Sequence, residues 1–395
     1  MEPASVDREL IFEVLDALVS IDSVNPAFPG ADGGPGRGEG TIAAYARKLL
    51  EGLGLETHLY EATPGRPSVV GVLRGNGGGR SLMLNGHLDT VGPGAMSSPF
   101  VPRVENGRLY GRGAYDMKGA VAACIGVVQA LSSAEERPAG DVVLALVADE
   151  EHRSLGIQEV LRHHATDGAI VAEPTEMALS LAHKGFVWLS VTTRGVACHG
   201  SDHRRGVDAN LRMVRVLAPL VDLQEQLPQG DTHPLLGPMS LHLGRLEGGD
   251  GPSIYAARCR GEIELRTIPG EASRRALDAI GTIVDRARAR MTDPSIELDE
   301  DLVRPPFEAM PGSRLASEVE TAGIDVLGSA PDVVGVPFWT DAAFVREQGI
   351  DTVLFGPAGA GAHADEEWVD LESVYDCAAV LARVAHGYCN GRRSG

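Results

Sequence analysis

The chain has 395 residues, which is more than one hydrophobic core usually holds, so two domains are expected. Its hydrophobic content of 43% and charged content of 23% are those of an ordinary globular protein. The formal net charge of −20 argues against nucleic acid and anionic membrane surfaces as partners.

The N-terminal residues and the cysteines indicate a compartment. Residues 1–15 include acidic side chains and lack a long apolar core, so a signal peptide is not expected. No run approaches the roughly 18 apolar residues of a membrane span. Five widely spaced cysteines, an odd number, predict free thiols rather than a disulfide framework. We therefore expect a cytoplasmic protein, and for Cys198 a small buried side chain rather than a reactive thiol.

The first predicted elements are two helices and a strand. Apolar residues at helical spacing predict helices over Asp7–Val19 and Thr41–Leu53. The Gly/Pro-rich loop between them, residues 23–40, closes with Glu39. Its residue types reveal no chemistry, so it is expected to be scaffold. A strand is predicted over Ser68–Leu73 before the first candidate site residues.

Candidate ligands follow the apolar run Leu82–Leu84, which reads as a short buried strand. His87 falls just past its end, where open α/β sheets place ligands. The carboxylate of Asp89 is expected to hold the second ring nitrogen of a metal-binding histidine. Asp116 precedes a predicted helix over Met117–Leu131 and has two oxygens with which to bridge two cations. Taken singly, His87 could equally be a satisfied histidine and Asp116 a helix cap.

The same pattern recurs down the chain. Three further apolar runs are followed by acids or a histidine: Val142–Ala148 by Asp149, Glu150 and Glu151, Ala169–Ala172 by Glu173, and Thr352–Phe355 by a glycine-rich loop and His363. The carboxyl ends of parallel strands meet at one edge of a sheet. Two histidines and several carboxylates would then converge on one cleft, which suits a pair of divalent ions, with zinc the leading candidate.

A separate domain is predicted between the third and fourth ligands. Its elements have the order βαββαβ, the ferredoxin-like pattern: Phe186–Thr193, Val207–Gln226, Met239–Leu246, Arg258–Ile268, Glu271–Arg290 and Ser295–Leu298. We therefore predict a catalytic domain in two parts, 1–184 and 305–395, and an inserted lid or dimerisation domain, 185–304. The fold class is α/β, with a mostly parallel sheet flanked by helices.

Six motifs resemble those of the M20 metallopeptidases, in the order of that family. The family includes acetylornithine deacetylase, succinyl-diaminopimelate desuccinylase, aminoacylase and glutamate carboxypeptidase. The motifs lie at residues 86–91, 111–119, 149–151, 172–175, 339–342 and 362–366. The resemblance covers nearly the whole chain, and it implies a zinc-peptidase-like fold with an inserted domain.

The resemblance also implies a ligand set. One metal would be held by His87, Asp116 and Glu173, and the other by Asp116, Glu151 and His363. Asp116 is then the bridge, and the peptide bond after it is cis. Two divalent ions are implied, zinc first, with cobalt or manganese as alternatives, and they would share the hydroxide that attacks the amide.

Glu150 is the expected general base of this reaction. Adjacent side chains at a strand end point in opposite directions, so that Glu151 can bind metal while Glu150 faces the water. Asp149 is expected to point away into the structure. A solvated surface acid is the alternative interpretation of Glu150.

Glu173 bears on the substrate, because the family uses glutamate here in carboxypeptidases and N-deacylases and aspartate in aminopeptidases and dipeptidases. The chain is therefore expected to remove an N-acyl group from an amino acid. One alternative is a metallocarboxypeptidase that releases the C-terminal residue of a short peptide or pteroyl-type conjugate. Another is a catalytically silent binding homologue, against which the intact ligands argue.

Substrate contacts follow from the same resemblance. Arg266 matches a family arginine that binds the substrate carboxylate, and Arg304 is a second choice. His199 matches a histidine that reaches the scissile carbonyl across a dimer, which implies a homodimer through the inserted domain. Ser253 and Ala256 stand where relatives have Asn and Pro, which leaves the acyl group open.

Overall fold

The computed structural model describes residues 5–61, 63–291 and 296–392, and the chain forms two compact units. The first comprises Met1–Leu181, Ala309–Val334 and Thr340–Gly395, and the second comprises Ala182–Glu308 and Gly335–Trp339. The predicted domain borders lie after residues 184 and 304. The prediction assigned residues 335–339 to the catalytic domain, whereas here they belong to the second unit. In the structure Gly335 packs so closely against Leu235 and Leu236 that a β-carbon there would overlap them.

The first unit is built on a sheet with a parallel centre. Its strands lie in the order Glu56–Tyr60, Ser68–Leu73, Val142–Val147, Leu82–His87, Gly168–Val171, Asp351–Leu354 and Leu179–His183. The four that begin at residues 142, 82, 168 and 351 are parallel to one another. These are the four apolar runs of the sequence, so the predicted mostly parallel α/β sheet is confirmed.

Helices flank this sheet, and their bounds are Arg8–Ser20, Gly40–Gly52, Gly119–Ser133, Leu155–Val160, Arg314–Leu327, Ala342–Glu347 and Leu371–Asn390. Asp7 caps the first, because its carboxylate accepts the N–H groups of Glu9 and Leu10. A small second sheet contains Arg103–Glu105, Arg108–Tyr110, Gly359–Ala360 and Trp368–Asp370. None of the helices in the described ranges has the length and apolar character needed to cross a bilayer.

One helix begins later than predicted. The segment Ala114–Lys118 is a wide helical turn in which Asp116 and Met117 have non-helical backbone angles, and the regular helix starts at Gly119. Asp116 is therefore not a helix cap. Its side chain stays available to the groups at the carboxyl edge of the sheet.

The second unit has the predicted ferredoxin-like order. Its elements are Gly185–Arg194, Ala209–Gln226, Ser240–Gly248, Arg258–Thr267, Ala272–Arg288 and Ile296–Arg304. The strands that begin at residues 240, 258, 185 and 296 lie side by side in that order, all antiparallel. Ser295, the first residue of the predicted last strand, lies outside the described residues. Further short strands are Thr232–His233, Gly237–Pro238, Phe307–Glu308 and Val333–Val336.

Candidate metal centre

Polar side chains gather at the carboxyl ends of the four parallel strands. His87 is the last residue of its strand, and Glu151 and Glu173 follow the ends of theirs. His363 comes from the loop after Asp351–Leu354, at a left-handed φ of 62°. Strand order therefore brings together groups that are far apart in the chain.

Asp116 lies between two imidazoles and turns a different oxygen to each. Its Oδ1 is 3.1 Å from Nε2 of His87, and its Oδ2 is 3.3 Å from Nε2 of His363. Glu173 approaches His87 at 3.9 Å, and Glu151 approaches His363 at 3.0 Å. Two sets of possible metal ligands result, His87 with Asp116 and Glu173, and Asp116 with Glu151 and His363. These are the sets that the family resemblance implies.

The protonation of the cluster reflects an excess of buried carboxylates. Burial raises the pKa of Glu150 and Glu173 and raises that of Glu151 to about 7. Burial acts the same way on Asp116, but hydrogen bonds from His363 and His87 outweigh it and lower its pKa. Hydrogen bonds to Asp116 and Glu151 raise the pKa of His363 to about 10. The buried carboxylates of this cluster therefore favour positive charge beside them, as the raised pKa of His363 shows.

The candidate ligands fit divalent cations for a second reason, besides their excess of carboxylates. Oε1 of Glu151 is buried and has no hydrogen-bond partner among the described residues. A buried carboxylate oxygen without a partner is costly unless a cation or water meets it. Imidazole nitrogens and carboxylate oxygens together are ligands that zinc, cobalt and manganese accept.

Asp89 does not hold His87 in the predicted way. Nδ1 of His87 donates to the backbone carbonyl oxygen of Asp89 at 3.0 Å, whereas the nearer carboxylate oxygen is 3.7 Å away. The carboxylate instead accepts the backbone N–H groups of Glu150 at 3.1 Å and Glu151 at 3.2 Å. The side chain of Asp89 thus serves this turn, and its backbone carbonyl serves the histidine.

Glu150 lies beside the candidate ligands, with Oε2 4.0 Å from Nε2 of His87 and a side chain only 10% exposed. It is therefore not a solvated surface acid. Asp149 is buried and accepts hydrogen bonds from Asn25 and Arg66, in agreement with its predicted inward direction.

Glu367 is a supporting residue that the sequence analysis missed. Its buried carboxylate accepts the N–H groups of Gly113, Tyr115 and Asp116 at 2.9–3.0 Å and pairs with Arg112 at 2.7 Å. It thereby holds the segment that carries Asp116, in which the peptide bond to Met117 is cis. Glu366 and Glu367 read alike in the sequence, and only the fold distinguishes them.

The predicted substrate residues lie in the second unit. His199 is exposed, with Nδ1 2.7 Å from the hydroxyl of Ser201, and its backbone pairs with Ile254, between the atypical Ser253 and Ala256. Arg266 donates through Nε to Glu264 at 2.7 Å. Arg304 is buried, with its guanidinium over the ring of Trp339. The substrate roles of these three residues remain predictions.

Known proteins resemble this chain over nearly its full length. Residues 83–387 match the family model described as peptidase family M20/M25/M40. The acetylornithine deacetylase of Myxococcus xanthus is 31% identical over 96% of this chain and 97% of its own length.

Two solved structures share the fold. A tripeptidase of Staphylococcus aureus covers 97% of this chain and 99% of its own, with a TM-score of 0.80 at 17% identity. A Bacillus subtilis protein, described as a dinuclear metal binding peptidase from the M20 family, covers 97% and 98%, with a TM-score of 0.72 at 14% identity. The resemblance read from the six motifs is thereby confirmed.

Proposed function

Because this chain belongs to the peptidase family M20/M25/M40 and is a metal-dependent hydrolase of amide or peptide bonds, we propose that it removes N-acyl groups from amino acids or related small carboxylates. The observation that carries the proposal is the placement of Asp116 between His87 and His363, one carboxylate oxygen toward each. The similarity to an acetylornithine deacetylase supports the choice of an N-acyl substrate.

The proposed cofactors are two divalent ions, zinc first, with cobalt or manganese as alternatives. His87 and Glu173 would hold one, Glu151 and His363 the other, and Asp116 both. The description of the Bacillus subtilis protein as dinuclear supports this number. When bound, two such ions supply Lewis-acid chemistry that polarises an amide carbonyl and activates water.

Glu150 is proposed to move the proton. Its carboxylate lies within the cluster but belongs to neither set of candidate ligands, so it stays available to a water beside them. Burial raises its pKa, which suits a group that takes a proton from water and then returns it to the leaving amine.

Substrate recognition is proposed for two residues of the second unit. Arg266 would bind the free carboxylate of the substrate, in competition with Glu264, to which its Nε now donates. His199 would donate to the oxyanion that develops on the scissile carbonyl. His199 is exposed, so it can contact a second copy of the chain. We propose a homodimer through the inserted domain.

The cytoplasm is the proposed location. All five cysteines are free, and four of them are buried. Unpaired cysteines suit a reducing compartment.

A substrate panel tests the proposal. Protein loaded with zinc or with cobalt is assayed on N-acetyl, N-succinyl and N-formyl amino acids, on their carboxamides, and on dipeptides. We expect turnover of at least one N-acyl amino acid and weaker turnover of its carboxamide, which lacks the free carboxylate. Preferred cleavage of peptides would replace the deacylase with a carboxypeptidase, and metal-loaded protein inactive on the whole panel would favour a binding homologue.

A further inference from the structure

The turn Asp149–Glu151 carries the proposed base and a proposed ligand, and all three of its backbone N–H groups are hydrogen-bonded to side chains. Each of its three successive N–H groups donates to a buried carboxylate. Glu39 accepts from Asp149 at 3.1 Å, and Asp89 accepts from Glu150 at 3.1 Å and from Glu151 at 3.2 Å. The direction of both glutamate side chains therefore depends on where these two carboxylates lie.

The conformation of the turn also needs support. Asp149 has a φ of 68°, in the left-handed region that residues with a β-carbon seldom adopt. Its carbonyl oxygen accepts the N–H of Arg153 at 3.1 Å, and its side-chain Oδ1 accepts hydrogen bonds from Asn25 and Arg66. Such a conformation persists when the surrounding contacts define it.

Arg66 supplies the charged one of these two side-chain contacts. Its Nε and Nη2 donate to the two oxygens of Glu39, and Nη2 also donates to Oδ1 of Asp149 at 3.1 Å. The guanidinium is mostly buried, with 15% of its side chain exposed, and Glu39 is fully buried. Burial opposes the charge on Arg66, but the hydrogen bond to Glu39 and the negative charges of the neighbouring carboxylates together outweigh it and raise the pKa, so the guanidinium stays protonated.

The charges around the turn make this cation important. Asn25 joins two carboxylates, donating to Asp89 at 2.8 Å and to Asp149 at 3.0 Å, but it brings no charge. Removing a charged partner from a buried group leaves like charges uncompensated. A lysine would restore the charge, but its ammonium group could not reproduce the two hydrogen bonds to Glu39 together with the one to Asp149.

We propose that Arg66 is a positioning residue. Its hydrogen bonds to Glu39 and Asp149 fix the backbone of the turn, and the turn in this way orients Glu150 and Glu151 toward the metal centre. The inference rests on the proposed function, because it assigns Arg66 a part in the same site. Among the described residues, Arg66 donates to Glu39 and Asp149, and neither of these belongs to a candidate ligand set.

The chain offers a matched control in Arg74. Arg74 also bridges two carboxylates, Glu56 at 2.8 Å and Asp141 at 2.9 Å, but its side chain is 59% exposed. Asp141 precedes the strand Val142–Val147, whereas Asp149 follows it. The two arginines thus serve opposite ends of one strand, and only Arg66 serves the end with the candidate ligands.

The experiment compares Arg66→Ala, Arg66→Lys and Arg74→Ala in kcat, KM, cobalt affinity and thermal midpoint. Changes in groups that support metal ligands typically cost 10–100-fold in affinity or activity, so we expect a loss of that size in Arg66→Ala. KM should stay within about threefold, since no substrate contact is removed. Added guanidinium ion, far below concentrations that unfold proteins, should restore part of the loss in Arg66→Ala and nothing in Arg74→Ala.

Two results would overturn the proposal. If Arg66→Ala keeps kcat and cobalt affinity within about threefold of wild type, the turn keeps its conformation without Arg66. Arg66→Lys is the safeguard if the alanine variant fails to fold, and full activity in the lysine variant would show that charge alone suffices. Should the wild type hydrolyse no amide in the panel, the proposed function fails, while cobalt affinity and its rescue by guanidinium still decide the role of Arg66.

Discussion

The backbone carbonyl oxygen of Asp89 accepts a hydrogen bond from Nδ1 of His87 at 3.0 Å. This contact fixes the tautomer of the imidazole, with Nδ1 protonated and Nε2 turned toward Asp116. A carbonyl oxygen performs this role whatever side chain residue 89 carries. The orientation of His87 and the function of the Asp89 carboxylate are therefore separable by mutation.

Asp89→Asn should weaken the hydrogen bonds that hold the turn Asp149–Glu151 and leave the orientation of His87 unchanged. The amide has one oxygen where the carboxylate has two, so it cannot accept from Glu150, Glu151 and Asn25 together. We expect activity to fall about 10–100-fold, while metal bound at His87 is retained. Elemental analysis beside kcat tests this, and loss of all metal would mean that the carboxylate does orient His87.

Glu150→Gln should retain both metals and lose most turnover. The amide keeps a hydrogen-bonding group in place but cannot accept the proton, and a general base typically supplies 10²–10⁴-fold. The measurements are kcat and metal content, with Glu51→Gln on the exposed face of a helix as the control. A fall in rate of less than about tenfold at wild-type metal content would exclude Glu150 as the base.

Asp116→Ala should lower metal occupancy at both positions, because this residue belongs to both ligand sets. Glu173→Ala is the comparison, since it belongs to one set and should lower the occupancy of one. Metal content after dialysis against a fixed free-zinc concentration distinguishes them. Two fully occupied sites in Asp116→Ala would contradict the bridge.

Glu367→Gln should destabilise the fold. The substitution leaves Arg112, whose side chain is 1% exposed, without its counter-charge, and breaking a buried pair in this way costs about 3–5 kcal/mol in free energy of unfolding. Denaturant unfolding measures the loss, and Glu366→Gln, at the exposed neighbouring position, should show little. Equal stability in the two variants would mean that the Arg112 charge is compensated elsewhere.

Mixing two inactive variants tests whether His199 serves the partner subunit. Glu150→Gln and His199→Ala are combined under conditions that exchange subunits. In a mixed dimer one cleft would contain an intact Glu150 and an intact His199 from the other chain, so activity should return. If labelled subunits exchange and no activity appears, His199 serves its own subunit or has no catalytic part.

Much of the fold follows from local patterns. The run Leu82–Leu84 and the strand Val142–Val147 are apolar throughout and are soon followed by histidine or acids, and this pattern needs no tertiary information. The helix Leu371–Asn390 was not predicted, although Asp370 at its N-cap and apolar residues at helical spacing gave a usable signal. The sequence pattern alone could have predicted this helix, so tertiary contacts do not explain why it was missed.

The supports of the candidate site were not predictable in the same way. Glu39 and Arg66 lie in loops, and a charged loop residue has the same local sequence whether it is solvated or buried. Their partner Asp149 is separated from them by the strands that bring them together. The role of Asp89 was misread for a related reason, since its backbone and side chain serve different neighbours.

The order of ligands along the chain has a consequence for biosynthesis. The strands that lead to His87 and Glu173 are complete by residue 171, but the segment that carries Asp116 is held by Glu367, so this ligand set also needs the C-terminal part of the chain. The set with Glu151 must wait for His363, near the end of the polypeptide. We therefore expect a nascent chain to bind neither ion until its C-terminal segment has left the ribosome.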